Sequence, residues 1–233
     1  QGVAEAQHNL GVAYKNGQGG AQDYSEAVKW FRLAAAQGDA KAQFNLGLMY
    51  ANGQGVVQGH AEAVKWYRLA AAQGITEAQY NLGFMYSKGQ GVAQNYAEAV
   101  KWHQKAAEQG YAKAQYNLGL MYGTGDGVTR DAKRAVYWFQ KAAEQGYAEA
   151  QYNLGVMYGT GDGVARDAKQ AVHWYQKAAE QGVVQAQYNL GVNYAKGEGV
   201  TRDAKQAVYW FQKAAEQGDV GAQSALNLLN GTQ

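Results

Sequence analysis

Apolar and polar positions follow a helical period along the chain, and the whole pattern then repeats. Ala150, Leu154, Met157 and Tyr158 form an apolar stripe at three- and four-residue steps, which predicts a helix A over 148–158. The glycine-rich stretch 159–164 ends it. From Asp167, a predicted N-cap, the positions Ala168, Ala171, Val172, Tyr175, Ala178 and Ala179 define the buried side of a second helix, B. Lys169, His173, Gln176, Lys177 and Glu180 define its wet side. Gly182 suits the left-handed residue that closes a helix. Each unit therefore reads as two antiparallel helices joined by a glycine loop.

This unit recurs along the chain. Asn-Leu-Gly starts at Asn9, Asn45, Asn81, Asn117, Asn153 and Asn189, always 36 residues apart, and Trp30, Trp66, Trp102, Trp138, Trp174 and Trp210 keep the same step. Of 31 glycines, 24 fall in four columns typified by Gly155, Gly161, Gly163 and Gly182. Such a period means a stacked all-α array, because one helical hairpin cannot bury both of its apolar faces. With no linker inside it, the array reads as a single domain over 1–233. Trp174 and its equivalents are expected to be the large pieces of the core. Gly155 and its column lie inside helix A, where glycine costs about 1 kcal/mol against alanine, so they are expected where helices approach closely. A backbone opening for a ligand is the alternative.

The pattern Ala-Gln-Tyr-Asn-Leu-Gly-x-Met-Tyr, then Gly-x-Gly-x-Gly-Val, then Ala-Val-x-Trp-Tyr-Gln-Lys-Ala-Ala-Glu-Gln-Gly resembles the Sel1-like repeat family, longer-looped cousins of tetratricopeptide repeats. The resemblance covers essentially the whole chain. It implies a right-handed α-solenoid that mediates protein–protein contacts. Two features depart from the family: many members carry a proline after the loop Gly-Val, where this chain has Ala, Thr or Val, and one bacterial branch pairs cysteines within each repeat. This chain has neither proline nor cysteine. Resemblance to bacterial members leaves the periplasm and secretion open as compartments. The chain begins at Gln1, which reads as a trimmed or mature fragment, so the absence of a signal peptide says nothing of compartment.

The units come in two dialects. The first three read like Gly91-Val92-Ala93-Gln94-Asn95-Tyr96-Ala97-Glu98, the last three like Gly163-Val164-Ala165-Arg166-Asp167-Ala168-Lys169-Gln170. Blocks 112–147 and 148–183 differ at only seven positions, which suggests recent duplication or a consensus-derived array. A partial helix over 220–230 follows Gly218, with Ala225-Leu226-Asn227 in place of Asn-Leu-Gly. It reads either as a cap or as the point where a longer array was cut.

Composition removes several function classes. A net charge of +2 supplies no field for wrapping nucleic acid or anionic membrane. Apolar runs are too short to span a bilayer, so no membrane insertion is expected. Gly123-Thr124-Gly125-Asp126-Gly127-Val128 lacks a preceding strand and a following Lys-Ser or Lys-Thr, so it is a turn and not a phosphate cradle. The loops also lack the ligand spacing of a calcium site, and Asp131 and Asp167 read as helix caps. His8, His60, His103 and His173 occupy four different columns, which gives a metal site no support. His103 replaces the Phe or Tyr of its column and reads as a core histidine. No constellation breaks the repeat at one place, so neither an enzyme nor a cofactor is expected. RNA readers with a similar period vary their polar positions between units; here the prominent one is always Asn, and RNA binding stays a lesser alternative.

What remains is a groove. In tetratricopeptide relatives helix A lines the concave surface, and the matching positions here form three rows. The aromatic row is His8, Phe44, Tyr80, Tyr116, Tyr152 and Tyr188. The amide row is Asn9, Asn45, Asn81, Asn117, Asn153 and Asn189. The variable apolar row is Val12, Leu48, Phe84, Leu120, Val156 and Val192. Their expected role is to hold a peptide or protein partner; the alternative is that rings pack between neighbouring helices and amides bond locally. The expected function is a scaffold or adaptor, a monomer or weakly self-associating end to end, with a consensus-derived array lacking any ligand as the alternative.

Overall fold

The computed structural model describes residues 2–231, with the side chains of 230 and 231 left aside. Helices alternate as A and B: α1 (Gly2–Asn16), α2 (Tyr24–Ala36), α3 (Ala40–Asn52), α4 (His60–Ala72), α5 (Thr76–Lys88) and α6 (Tyr96–Glu108). There follow α7 (Ala112–Thr124), α8 (Ala132–Glu144), α9 (Ala148–Thr160), α10 (Ala168–Glu180), α11 (Val184–Lys196), α12 (Ala204–Glu216) and α13 (Val220–Gly231). No strand occurs among the described residues. The fold is an all-α solenoid of repeated helix pairs. Two compact units divide it: unit 1 spans Gln1–Ala114 with Asp126–Val128, and unit 2 spans Gln115–Gly125 with Thr129–Gln233.

Helix ends follow from local chemistry. Asp131 Oδ1 accepts from Arg134 N–H, and Asp167 Oδ1 accepts from the N–H groups of Lys169 and Gln170, the expected caps. At the far end of α10, Gly182 has φ +91°, and the N–H groups of Gly182 and Val183 donate to the carbonyls of Ala179 and Ala178. Helix A runs two residues beyond the expected 158, through Gly159 to Thr160, because Gly161, with φ +82°, is the residue that can leave the helix left-handed.

The core corrects one expectation. The tryptophans are half-buried, and the buried ring is the one a position later: Phe31, Tyr67, His103, Phe139, Tyr175 and Phe211. Phe31 shares a core with Ala27, Val28, Ala34 and Ala35 of its own helix and with Leu46 and Met49 of α3, the next helix A. Trp66 packs against the flank of that core from α4. The helical period explains the order, since one residue turns the side chain by about 100° and only one of two adjacent rings can point inward.

Close approach of helices A and B is found at the expected glycines. A Cβ on Gly155 would stand 2.6 Å from Cδ1 of Tyr175, and one on Gly47 would stand 2.5 Å from Tyr67. The second loop glycine makes a different contact. A Cβ on Gly163 would collide with the carbonyl of Ala132, the first residue of the preceding helix B, and Gly55 stands likewise against Tyr24. Each of these loops is thus seated on the repeat before it.

A row of buried glutamines ties neighbouring helices together. Gln151 Nε2 donates to Ala143 O of the preceding helix B (3.1 Å), while its Oε1 accepts from Gln181 Nε2 at the end of its own helix B (2.7 Å). Gln79 repeats this with Ala71 O and Gln109, and Gln187 with Ala179 O and Gln217. In a buried amide bonded at both ends the hydrogen bonds offset the cost of desolvation, and they link three helices.

Candidate functional site

The three rows lie on the A helices, and each has its own environment. The aromatic row is half-buried. In unit 1, His8, Phe44 and Tyr80 tilt onto Phe31, Tyr67 and His103 of their own repeats, with centroids 5.8, 6.0 and 5.5 Å apart. In unit 2, Tyr116, Tyr152 and Tyr188 meet Phe139, Tyr175 and Phe211 at 6.0, 6.1 and 5.8 Å. Tyr80 and Tyr116 gain second ring partners in Tyr111 and Tyr147, each at 5.1 Å. These rings pack within a repeat, against helix B, and leave part of their surface open.

The amides are half-buried too, except Asn9, which is exposed. Asn45 Nδ2 donates to Lys41 O at 3.0 Å and lies 3.3 Å from His8 Nε2, while its Oδ1 accepts from Lys15 Nζ at 3.2 Å. Asn81 and Asn189 stand beside the hydroxyls of Tyr67 and Tyr175, and Asn153 beside that of Tyr116. Burial pushes the Tyr67 and Tyr175 hydroxyls up to about 12, with the neighbouring amides pulling the other way. Those hydroxyls stay protonated.

The apolar row is the most accessible. Val12, Leu48, Val156 and Val192 are half-buried, whereas Phe84 and Leu120 are 37% and 36% exposed. Two clefts adjoin the rows. One of about 620 Å³ in unit 1 is lined by Glu5, His8, Asn9, Gln37, Asp39 and Lys41. One of about 240 Å³ in unit 2 is lined by Thr160, Arg166, Tyr175, Asn189, Val192, Asn193 and Glu198. Asn193 stands where four of the other repeats carry Met49, Met85, Met121 and Met157 and the first carries Ala13, so a polar side chain borders that cleft.

Other candidate chemistry resolves locally. His103 is 1% exposed, packs against Gly83 and Tyr80, and its Nδ1 has no partner. Burial lowers its pKa to about 4, so the ring is neutral. Among the described residues no group of three His, Asp or Glu side chains could hold a metal ion. No described helix is long and apolar enough to cross a membrane.

Sequence reasoning passed over the glutamine row. Its signal was present, since Gln43, Gln79, Gln115, Gln151 and Gln187 fill one column of helix A without exception. It was hidden because a polar residue on an apolar stripe reads as a surface position until its two partners are located.

The family model for the Sel1 repeat matches six consecutive segments, 4–39, 40–75, 76–111, 112–147, 148–183 and 184–219. Among solved structures, the SLR-fold protective antigen c5321 of uropathogenic Escherichia coli is 45% identical with a TM-score of 0.93, covering 97% of this chain and 48% of its own. The chain thus spans about half the length of that relative. A Sel1 repeat protein from Oxalobacter formigenes is 38% identical with a TM-score of 0.82, covering 94% of this chain and 86% of its own. No curated protein matches the chain. With the helix pairs, the glycine contacts and six matched repeats in agreement, the chain belongs to the Sel1 repeat family.

Proposed function

We propose that this protein is a non-enzymatic scaffold that binds a peptide or protein partner on the face of its A helices. Sel1 repeat proteins are generally protein-interaction scaffolds, which supplies the class. The observation that carries the A-face assignment is the exposure of Phe84 and Leu120, large apolar side chains left open on the variable row. Beside them, the half-buried asparagines offer a donor and an acceptor to a partner's backbone whatever its sequence. The apolar row selects side chains and the amide row holds the chain. The clefts beside Asn9 and Asn189 add room for a protruding residue in each unit.

The test is capture from a lysate of the source organism with three immobilised proteins: the parent, Phe84→Asp with Leu120→Asp, and Asn81, Asn117 and Asn153 changed together to alanine. Both variants should keep the parent's helicity and lose the same captured proteins. Should the asparagine variant unfold early yet bind normally while folded, the amides are structural. Retention of every partner by the Phe84/Leu120 variant would remove the A face from the function.

A further inference from the structure

The outer faces of the B helices differ chemically between the two units at matching repeat positions. In unit 1 the position before the tryptophan holds Lys29, Lys65 and Lys101, each ion-paired with Glu26, Glu62 or Glu98 one turn earlier. In unit 2 the same position holds Tyr137, His173 and Tyr209, all exposed, Tyr137 at 52% and Tyr209 at 47%. One turn before these rings stand Lys133, Lys169 and Lys205, and one turn after them Lys141, Lys177 and Lys213, on the same helix face. Of these six lysines, Lys213 reaches a carboxylate, Glu216 at 3.9 Å; among the described residues the other five have none within 4 Å. Lys141 lies over the ring of Tyr137 at 5.8 Å and Lys177 over Trp174 at 5.8 Å, and Lys213, besides its carboxylate, lies over Tyr209 at 5.9 Å. Each exposed ring stands edge-on to its half-buried tryptophan, with centroids 4.9 to 5.0 Å apart. Three helices thus repeat one arrangement, an exposed ring between two lysines.

We propose that the outer face of α8, α10 and α12 is a second docking surface, for an acidic segment of a protein partner that carries apolar or aromatic side chains among its carboxylates. Charge complementarity carries the choice. Unit 1 neutralises the lysine at this position internally, whereas unit 2 places an exposed ring there, flanked by lysines of which five have no carboxylate within 4 Å among the described residues. Carboxylates answer the lysines, and the interleaved apolar side chains cover the tyrosines, which stabilise only an occupant that dehydrates them. A nucleic acid fits less well, because its affinity rests mainly on phosphate charge, which Glu144, Glu180 and Glu216 and the capping Asp131, Asp167 and Asp203 on the same helices offset, whereas an acidic segment with apolar side chains also gains from covering the tyrosines. This surface is independent of the A-helix face.

The test uses a fluorescein-labelled peptide of three Glu-Glu-Phe-Glu units, followed by anisotropy at low salt. Its partner in the experiment is a variant in which unit 2 takes the residues unit 1 already tolerates: Arg134→Glu with Tyr137→Lys, Gln170→Glu with His173→Lys, and Gln206→Glu with Tyr209→Lys. The parent should bind saturably, tenfold or more weakly when salt rises from about 50 to about 300 mM, and the variant should lose at least tenfold. Tyr137→Ala with Tyr209→Ala, truncating two exposed rings, should lose about fivefold and serves if the larger variant does not fold. Absence of saturable binding, equal affinity of the variants, or tighter binding of a single-stranded DNA 12-mer would each overturn the proposal.

Discussion

Gly155 of α9 and Tyr175 of α10 are in direct contact across one repeat, backbone against ring, with no space for a Cβ between them. Tyr175 is buried and cannot swing away without opening the core it shares with Leu190. Gly155→Leu should therefore destabilise by about 1–3 kcal/mol or more through overpacking. Urea titration followed by circular dichroism measures it, and an unchanged midpoint would contradict the close-approach assignment.

Phe139 and Trp138 are adjacent, but only Phe139 is buried, while Trp138 is half-buried. Phe139→Ala should cost about 3–5 kcal/mol, and Trp138→Ala clearly less despite its larger ring. The order of the two losses is the readout. A greater loss at Trp138 would return the tryptophans to the centre of the core.

Two glycines with left-handed φ should respond differently to alanine. Gly182, at φ +91°, has open space where a Cβ would go, so Gly182→Ala carries only backbone strain, about 1–2 kcal/mol. Gly163, at φ +75°, faces the Ala132 carbonyl, so Gly163→Ala adds a collision to the same strain. Thermal melts should place Gly163→Ala well below Gly182→Ala.

His103 makes stability depend on pH in a definite direction. Its folded-state value of about 4 lies below the ordinary 6.5, so the unfolded chain takes up the proton first as pH falls. Its contribution is whole above about 6.5 and shrinks as pH falls toward 4, by about 3 kcal/mol in all. His103→Phe, which restores the residue type of Phe139, should flatten that part of the profile. Parent and variant titrated from about pH 7 to pH 4.5 would run parallel if the ring were not the cause.

Periodicity makes the helix pairs legible in the sequence, since six copies average out local ambiguity and glycine columns mark the ends. Asp167 as cap and Gly182 as closing residue followed from side-chain chemistry alone. Trp174 misled because size suggested burial, while facing is decided by phase along the helix, which gave the inner place to Tyr175. The seat of Gly163 on Ala132 was beyond reach, because a contact between repeats leaves the same mark in the sequence as a turn. For the binding rows, spacing could align Asn81 with Asn45 but could not reveal that one stands beside Tyr67 while the other meets Lys15 and His8.

The seating of one loop on the preceding helix B has a consequence for how such proteins can be cut and recombined. A segment excised from helix A to the end of its own helix B would carry its loop away from the surface that supports it, and would sever the glutamine link at Ala143 or its equivalent. A segment that starts at helix B and runs through the following helix A and its loop keeps both. Within unit 2, α10 with α11 and the loop through Asp203 is such a segment, carrying the Tyr175–Leu190 core, the Gln187 link to Ala179 and the Gly199 seat on Ala168. A piece offset by one helix from the repeat that the sequence displays thus carries the loop seat and the Gln187 link to Ala179 intact, at the cost of the closer contact inside a repeat, Gly191 on Phe211, which only a cut at the repeat boundary preserves.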